Sequence, residues 1–166
     1  MASELLTDFV KTPYGKFELT VSKHGLVKLD FPVSVKKASK TRVVLSTEEK
    51  HVLRRAKSFL RKYFSGFSIK SNQIPIDWTI FRPFDQRIFM ELLKVKPGKT
   101  TTYGELAKKS HFPRAARAVG NALNRNPIPI LIPCHRVLRK DSSLGGYRGG
   151  SRWKCLLLKI DRSHSN

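Results

Sequence analysis

The chain has 166 residues, 40% of them hydrophobic, and carries 33 Lys and Arg against 12 Asp and Glu, a formal charge of +21. That apolar content excludes a disordered tail, and no apolar run or opening segment reads as a membrane span or a signal peptide, so a protein that stays inside the cell is expected. The charge excess points to a polyanion; an anionic membrane fits less well than nucleic acid, since neither an anchor nor a basic amphipathic helix with aromatic insertions is present.

Residues 8 to 32 read as β-structure. Phe9 to Thr12 leads into a Pro13-Tyr14-Gly15 turn, Lys16 to Val21 alternates apolar and polar with period two, and Leu26 to Phe31 follows a Lys23-His24-Gly25 turn. An antiparallel meander of three strands is expected. Lys36 to Lys40 reads as a basic loop and Arg42 to Leu45 as a short strand. Ser46 and Glu49 have the spacing of a capping box, and Val52, Ala56, Phe59, Leu60 and Phe64 form the apolar stripe of the helix that follows. Its basic faces read as solvated surface. The helix stops at Ser65-Gly66. Residues 67 to 80 read as a linker with one strand, Ile74 to Trp78, which sets a domain boundary at Ile80. A sheet-and-helix half followed by a helical half is an α+β pattern, with domains at 1–80 and 81–166.

The second half opens with a helix over Phe84 to Leu93, whose Ile88, Phe89, Leu92 and Leu93 share a face. Thr102 and Glu105 form a second capping box. His111-Phe112-Pro113 interrupts, and a helix that starts at Pro113 or Arg114 and runs to Arg125 follows, rich in small residues (Ala115, Ala116, Ala118, Ala122). A helix, a short turn and a small-residue basic helix outline a helix-turn-helix. A plain core helix reads the same way from its alanines; the charge excess favours DNA contact.

The most informative stretch is Asn126-Pro127-Ile128-Pro129-Ile130-Leu131-Ile132-Pro133-Cys134-His135-Arg136-Val137. Its prolines exclude a regular helix, and Ile130 to Ile132 calls for burial. A thiol, an imidazole and a guanidinium then stand side by side. A buried thiol is inert, whereas a thiol beside a base or a positive charge is a nucleophile. Adjacency does not prove contact, since neighbouring side chains diverge on a strand or a turn. Ser142 to Gly150 is a glycine-rich loop that either connects or lets backbone approach a ligand. Ser151 to Asp161 reads as a final helix packing on the cysteine segment, with Cys155 read as a structural, buried thiol. Cys134 and Cys155 are too few for a disulfide framework or a cysteine-rich zinc site, and the five histidines lack ligand spacing, so neither metal nor cofactor is expected.

Pro133-Cys134-His135-Arg136-Val137 with its Ile/Leu lead-in resembles the signature of the O6-alkylguanine-DNA alkyltransferases. Over residues 81 to 161 the Tyr103-x-x-Leu106-Ala107, Arg117-Ala118-Val119-Gly120 and Asn126-Pro127-x-Pro129 segments recur at that family's spacing. The resemblance implies a ribonuclease H-like N-terminal domain and a winged helix-turn-helix carrying the active site. It implies direct reversal of O6-methylguanine, and of O4-methylthymine, in a base flipped out of duplex DNA, with one irreversible transfer to Cys134 per molecule. His135 would act as base through a water, oriented by Asp161, which is one methylene shorter than the family's Glu. Tyr103 would donate to guanine N3 and crowd the 3′ phosphate. Asn126 would hold the recognition helix and the cysteine segment in register, and Arg117 would fill the space the base leaves.

Arg114, Ala115, Ala116, Gly120, Asn121 and Arg136 would join Arg117 and Tyr103 at the DNA, in the minor groove, which is only ~6 Å wide. The carbonyls of Cys134 and Val137, the loop residues Tyr147 and Arg148, and Lys154 bracing that loop would complete the substrate pocket. A monomer is implied, cytoplasmic in a prokaryote and nuclear in a eukaryote. Two rival readings stand beside this one: a damage-sensing DNA-binding protein that does not react, as in cysteine-lacking relatives, and a basic chromatin protein with an idle thiol.

Overall fold

The computed structural model describes residues 5–32, 46–67 and 73–164. The basic loop and short strand expected between Lys36 and Leu45 lie outside them. The chain divides into two compact units, Met1–Ile80 and Phe81–Asn166.

In the first unit, β1 (Leu6–Thr12), β2 (Gly15–Ser22) and β3 (Gly25–Asp30) form an antiparallel sheet in the order β1-β2-β3. Val10 pairs with Phe17 and Leu6 with Val21, so the alternation read along β2 puts Phe17, Leu19 and Val21 in the core. α1 (Thr47–Phe64) covers the sheet with Val52, Leu53, Ala56, Phe59, Leu60, Tyr63 and Phe64 buried. Its start is the expected capping box: Ser46 accepts from the Glu49 amide, and the Glu49 carboxylate accepts from the Ser46 amide. The Phe64 ring packs at a tilt against both Phe17 and Tyr14, centroids 5.1 Å apart in each pair, fixing the helix end against the sheet.

The strand expected over Ile74 to Trp78 shrinks to one parallel bridge, Ile76 with Leu26. Pro75 has no amide to donate, and Asp77 accepts from the Thr79 amide and hydroxyl and from Ser22, which turns the chain into a 3-10 turn over Trp78–Ile80. Gly25, at φ +147, allows this segment close, since a Cβ there would meet the Pro75 carbonyl at 2.7 Å.

In the second unit α2 (Pro83–Leu92), α3 (Tyr103–Lys109) and α4 (Ala116–Asn124) pack together, and α5 (Ser151–Ser163) packs on the 3-10 turn over Cys134–Arg136. Arg125 grips Asp85 through two hydrogen bonds, 2.7 and 3.1 Å, tying the end of α4 to the first turn of α2. Thr102 and Glu105 cap α3 reciprocally. His111 ends it in the left-handed region at φ +68, and the Phe112 and His111 amides return to the carbonyls of Ala107 and Lys108. That is a Schellman turn with His where Gly is usual. It sets the angle at which α4 leaves α3. Two residues on each side, β4 (Thr101–Thr102) and β5 (Val137–Leu138), pair in parallel and hold the start of α3 against the cysteine segment.

Candidate active site

The segment from Asn126 to Val137 is almost wholly buried, including Ile128, Ile130, Leu131 and Ile132. The prolines prevent a helix until a single 3-10 turn forms over Cys134–Arg136. Asn126 organises the loop. Its side-chain oxygen accepts from the Ile128 amide at 3.0 Å, and its Nδ2 donates both to the Ile132 carbonyl at 3.0 Å and to Cys134 Sγ at 3.1 Å. One amide thus shapes the turn and touches the sulfur. Ile130 sits at φ +73, costly for a β-branched side chain and sustained by burial on all sides.

Cys134 is 5% exposed. Burial pushes its thiol up from the ordinary range, while hydrogen bonds from Asn126 and Tyr147 and the Lys154 charge pull the other way. The sulfur is therefore a protonated thiol at rest, with donors arranged to favour its anion.

His135 is fully buried, and its Nε2 lies 3.0 Å from Asp161 Oδ2. Asp161 reaches it in spite of its shorter chain. The same carboxylate takes Arg136, whose Nε donates to Oδ2 at 2.5 Å and whose NH2 donates to Oδ1 at 3.1 Å. Burial disfavours the Asp161 anion, but the hydrogen bonds from His135 and Arg136 outweigh it and hold the carboxyl far below its usual range. Burial also lowers the His135 imidazole, against the pull of Asp161, so the ring is neutral at pH 7. An Nε2–H directed at Asp161 leaves Nδ1 as the acceptor, and Nδ1 has no protein partner among the described residues.

Arg136 requires a correction. Expected at the DNA, it is buried, engages Asp161 with two nitrogens and donates NH1 to the Val95 carbonyl at 2.5 Å. The 3-10 turn brings His135 and Arg136 round to one carboxylate, although neighbouring side chains were expected to diverge on a strand or a turn. Val95 gave no sequence signal for this role.

Lys154 is buried beneath the loop and donates to the Val137 carbonyl at 2.7 Å and to the Leu144 carbonyl. Burial lowers its pKa to about 8, with the Cys134 charge opposing. The Val137 carbonyl, expected to face the guanine amino group, thus already accepts one hydrogen bond and keeps its second lone pair. Arg148 is exposed and reaches back with NH1 to the Asn126 carbonyl at 3.2 Å, so its side chain braces the loop as well as its backbone. Gly145, at φ +65, packs on Tyr103: a Cβ there would lie 2.7 Å from the Tyr103 hydroxyl. Burial raises the Tyr103 pKa, which keeps that hydroxyl a donor.

On α4, Val119, Ala122 and Leu123 face inward, while Ala116, Arg117 and Asn121 are exposed, with Arg114 just before them. Ala115 and Gly120 are half-buried, and Gly120 lies near the Tyr103 ring. The helix begins at Ala116 rather than Arg114, because Ala115 serves as its cap. Cys155 also departs from expectation. It is exposed, since the buried positions of α5 are Lys154, Leu157, Ile160 and Asp161, and residue 155 falls on the outer face of that period.

Fold and site together define a two-unit α+β protein whose helix-turn-helix unit holds a buried cysteine and a buried histidine-aspartate pair. Residues 83–163 match the model of the 6-O-methylguanine DNA methyltransferase DNA-binding domain, and residues 5–78 match that of its ribonuclease-like domain. A methylated-DNA–protein-cysteine methyltransferase of Methanosarcina barkeri is 37% identical over 95% of this chain and 97% of its own. The constitutive enzyme of that name from Bacillus subtilis is 38% identical over 72% and 73%. The O6-methylguanine methyltransferase of Mycobacterium tuberculosis superposes with a TM-score of 0.79 at 31% identity, covering 98% and 96% of the two chains. The OGT structure from the same organism in complex with DNA superposes with a TM-score of 0.76 at 32% identity, covering 94% and 92%. The chain belongs to the 6-O-methylguanine DNA methyltransferase family.

Proposed function

We propose that this protein binds duplex DNA through α3 and α4 and repairs O6-methylguanine by taking the methyl group onto Cys134, once per molecule. The observation that carries the reading is the Asn126 amide on the Cys134 sulfur, with a buried His135–Asp161 pair next in the chain.

The target carbon is out of reach inside the base stack, so the nucleotide must leave the duplex. Small side chains on the outer face of α4 suit a narrow groove, and Arg117 is the side chain long enough to occupy the vacated space. Arg114, Ala115, Ala116, Gly120 and Asn121 make up the rest of that surface. Phosphate contacts supply most of the affinity, with little sequence preference.

In the pocket the Cys134 proton passes through a water to His135 Nδ1, and Asp161 stabilises the imidazolium. The thiolate attacks the methyl carbon in line, a carbon–sulfur bond forms and the carbon–oxygen bond breaks. The electron pair left on O6 spreads into the purine, which takes up a proton at N3 from the Tyr103 hydroxyl. The Cys134 and Val137 carbonyls receive the guanine amino group, and the loop of Tyr147 and Arg148 offers its amides to O6. The thioether is stable and no group of the site among the described residues is placed to hydrolyse it, so the reaction ends there. O4-methylthymine presents the same alkyl carbon and is a second substrate. The protein works as a monomer in the compartment that holds the genome.

The test is to incubate the protein with a duplex carrying one O6-methylguanine and to map the methyl by peptide mass spectrometry. The methyl is expected on Cys134 in wild type and in Cys155→Ser, with no transfer by Cys134→Ser. Damage-selective binding with no mass change would establish the non-reacting sensor instead.

A further inference from the structure

The unit that holds none of the pocket is itself strongly basic: residues 1–80 contain 15 Lys and Arg against 7 Asp and Glu. In the described part, six of the ten Lys and Arg lie on α1, four of them on its outer face. Lys50, Arg54, Arg61 and Lys62 are exposed, with Ser58 and Ser65 between and beyond them. At 100° per residue Lys50, Arg54 and Arg61 fall close to one line, ~16 Å long at 1.5 Å per residue. The two acids of the helix, Glu48 and Glu49, lie in its first turn, and Glu49 is taken by the cap. Among the described residues, none of Lys50, Arg54, Arg61 and Lys62 pairs with a carboxylate. The flanking cations differ: Lys57 pairs with Asp8, and Arg55 donates to the Gln73 carbonyl.

A solvated helix face ordinarily interleaves acids at i+3 or i+4 with its bases, because like charges at that spacing repel. This face keeps the repulsion, which an anion with regularly spaced charges would relieve. Duplex DNA presents one negative charge per ~1.7 Å of axis, and neutralising its phosphates releases counterions. Serine hydroxyls beside the cations are further phosphate donors.

We infer that the outer face of α1, centred on Arg54 and Arg61, is a second phosphate-contact surface for duplex DNA, separate from the helix-turn-helix. This rests on the proposed DNA-binding function and extends it to the other unit. The surface adds affinity and no sequence information.

The test is the salt dependence of full-length protein binding to an undamaged duplex of several helical turns. The comparison is between wild type, Arg54→Ser/Arg61→Ser, and the control Lys11→Ser/Lys23→Ser, which removes equal charge from exposed positions elsewhere in the same unit. The slope of log affinity against log salt is expected to fall by about 1.8 for the α1 pair, at ~0.9 per lost phosphate contact, and by less than half of that for the control. Methyl transfer at saturating substrate should be unchanged, since neither arginine belongs to the pocket. A wild-type slope for the α1 pair, or an equal loss in the control, would overturn the inference. Should the serine pair fail to fold, Arg54→Gln/Arg61→Gln answers the same question. Loss of methyl transfer in wild type itself would refute the repair reading and leave the slope comparison standing.

Discussion

Asn126 donates its side-chain amide to the Cys134 sulfur at 3.1 Å while holding the Ile132 carbonyl and the Ile128 amide. The residue that bends the segment is therefore also one that favours the thiolate. Asn126→Ala should slow single-turnover methyl transfer ~10- to 100-fold, the worth of a hydrogen bond to a charged group at 1.5–3 kcal/mol. It should also lower stability, since two buried backbone groups lose their partner. Asn126→Asp should be slower still, because a carboxylate repels the anion. Rapid-quench transfer assays beside thermal melts separate the two effects; a full rate in Asn126→Asp would contradict this role.

Arg136 is bound to Asp161 and Val95 and not to solvent. Arg136→Ala should cost ~3–5 kcal/mol of stability, as expected when one member of a buried ion pair is removed. The salt slope of DNA binding should stay at its wild-type value. A lowered slope with an unchanged melting temperature would return Arg136 to the DNA surface.

Acid should weaken the fold, and two groups of the site contribute. The folded His135 pKa is lowered, so the unfolded chain takes up this proton first, and stability present above the ordinary imidazole range, ~6.5, is lost as pH falls below it. The Asp161 carboxyl is also held low, so its contribution is complete above ~4 and drains away below that. Urea melts between pH 7 and pH 3 should show wild-type stability falling in both windows, and Asp161→Asn should fall less steeply in the lower one, where Asp8 and Asp77, also held low by their hydrogen bonds, keep a share of the loss. Equal slopes below pH 4 in both proteins would contradict the assignment.

The capping boxes at Ser46 and Thr102, the meander and the cysteine loop were legible because each rests on local chemistry: a cap at fixed spacing, a period of two, prolines that forbid helix. What could not be read depends on contacts distant in sequence or on an unusual backbone. The sharing of Asp161 by His135 and Arg136 needs the 3-10 turn and α5 together. Asp77 cut the Ile74 to Trp78 strand short by accepting from Ser22, fifty-five residues away. Neither Ile130 nor His111 advertises a positive φ. The exposure of Cys155 was available from the helical period of α5, and the apolar run Leu156 to Leu158 concealed it.

Gly145 and Gly104 make a matched pair. A Cβ at Gly145 would collide with the Tyr103 hydroxyl at a left-handed φ, whereas nothing lies within 4 Å of one at Gly104. Gly145→Ala should slow transfer and destabilise. Gly104→Ala, in the first turn of α3, should stabilise by ~0.5–1 kcal/mol. Chemical denaturation of the two variants checks both signs.

Arg117 is exposed on α4 and should not affect the fold. Arg117→Ala should melt like wild type, react with free O6-methylguanine base at the wild-type rate, and slow on duplex, because its work is done where the base leaves the stack. Equal slowing on free base and duplex would place it in the chemistry.

The most direct test of the whole account is a titration with excess methylated duplex, counting methyl groups per protein by intact mass. Transfer should stop at one methyl per molecule, all of it on Cys134. Continued turnover, or a methyl on Cys155, would contradict the claim that the sulfur beside Asn126 is the acceptor and is consumed.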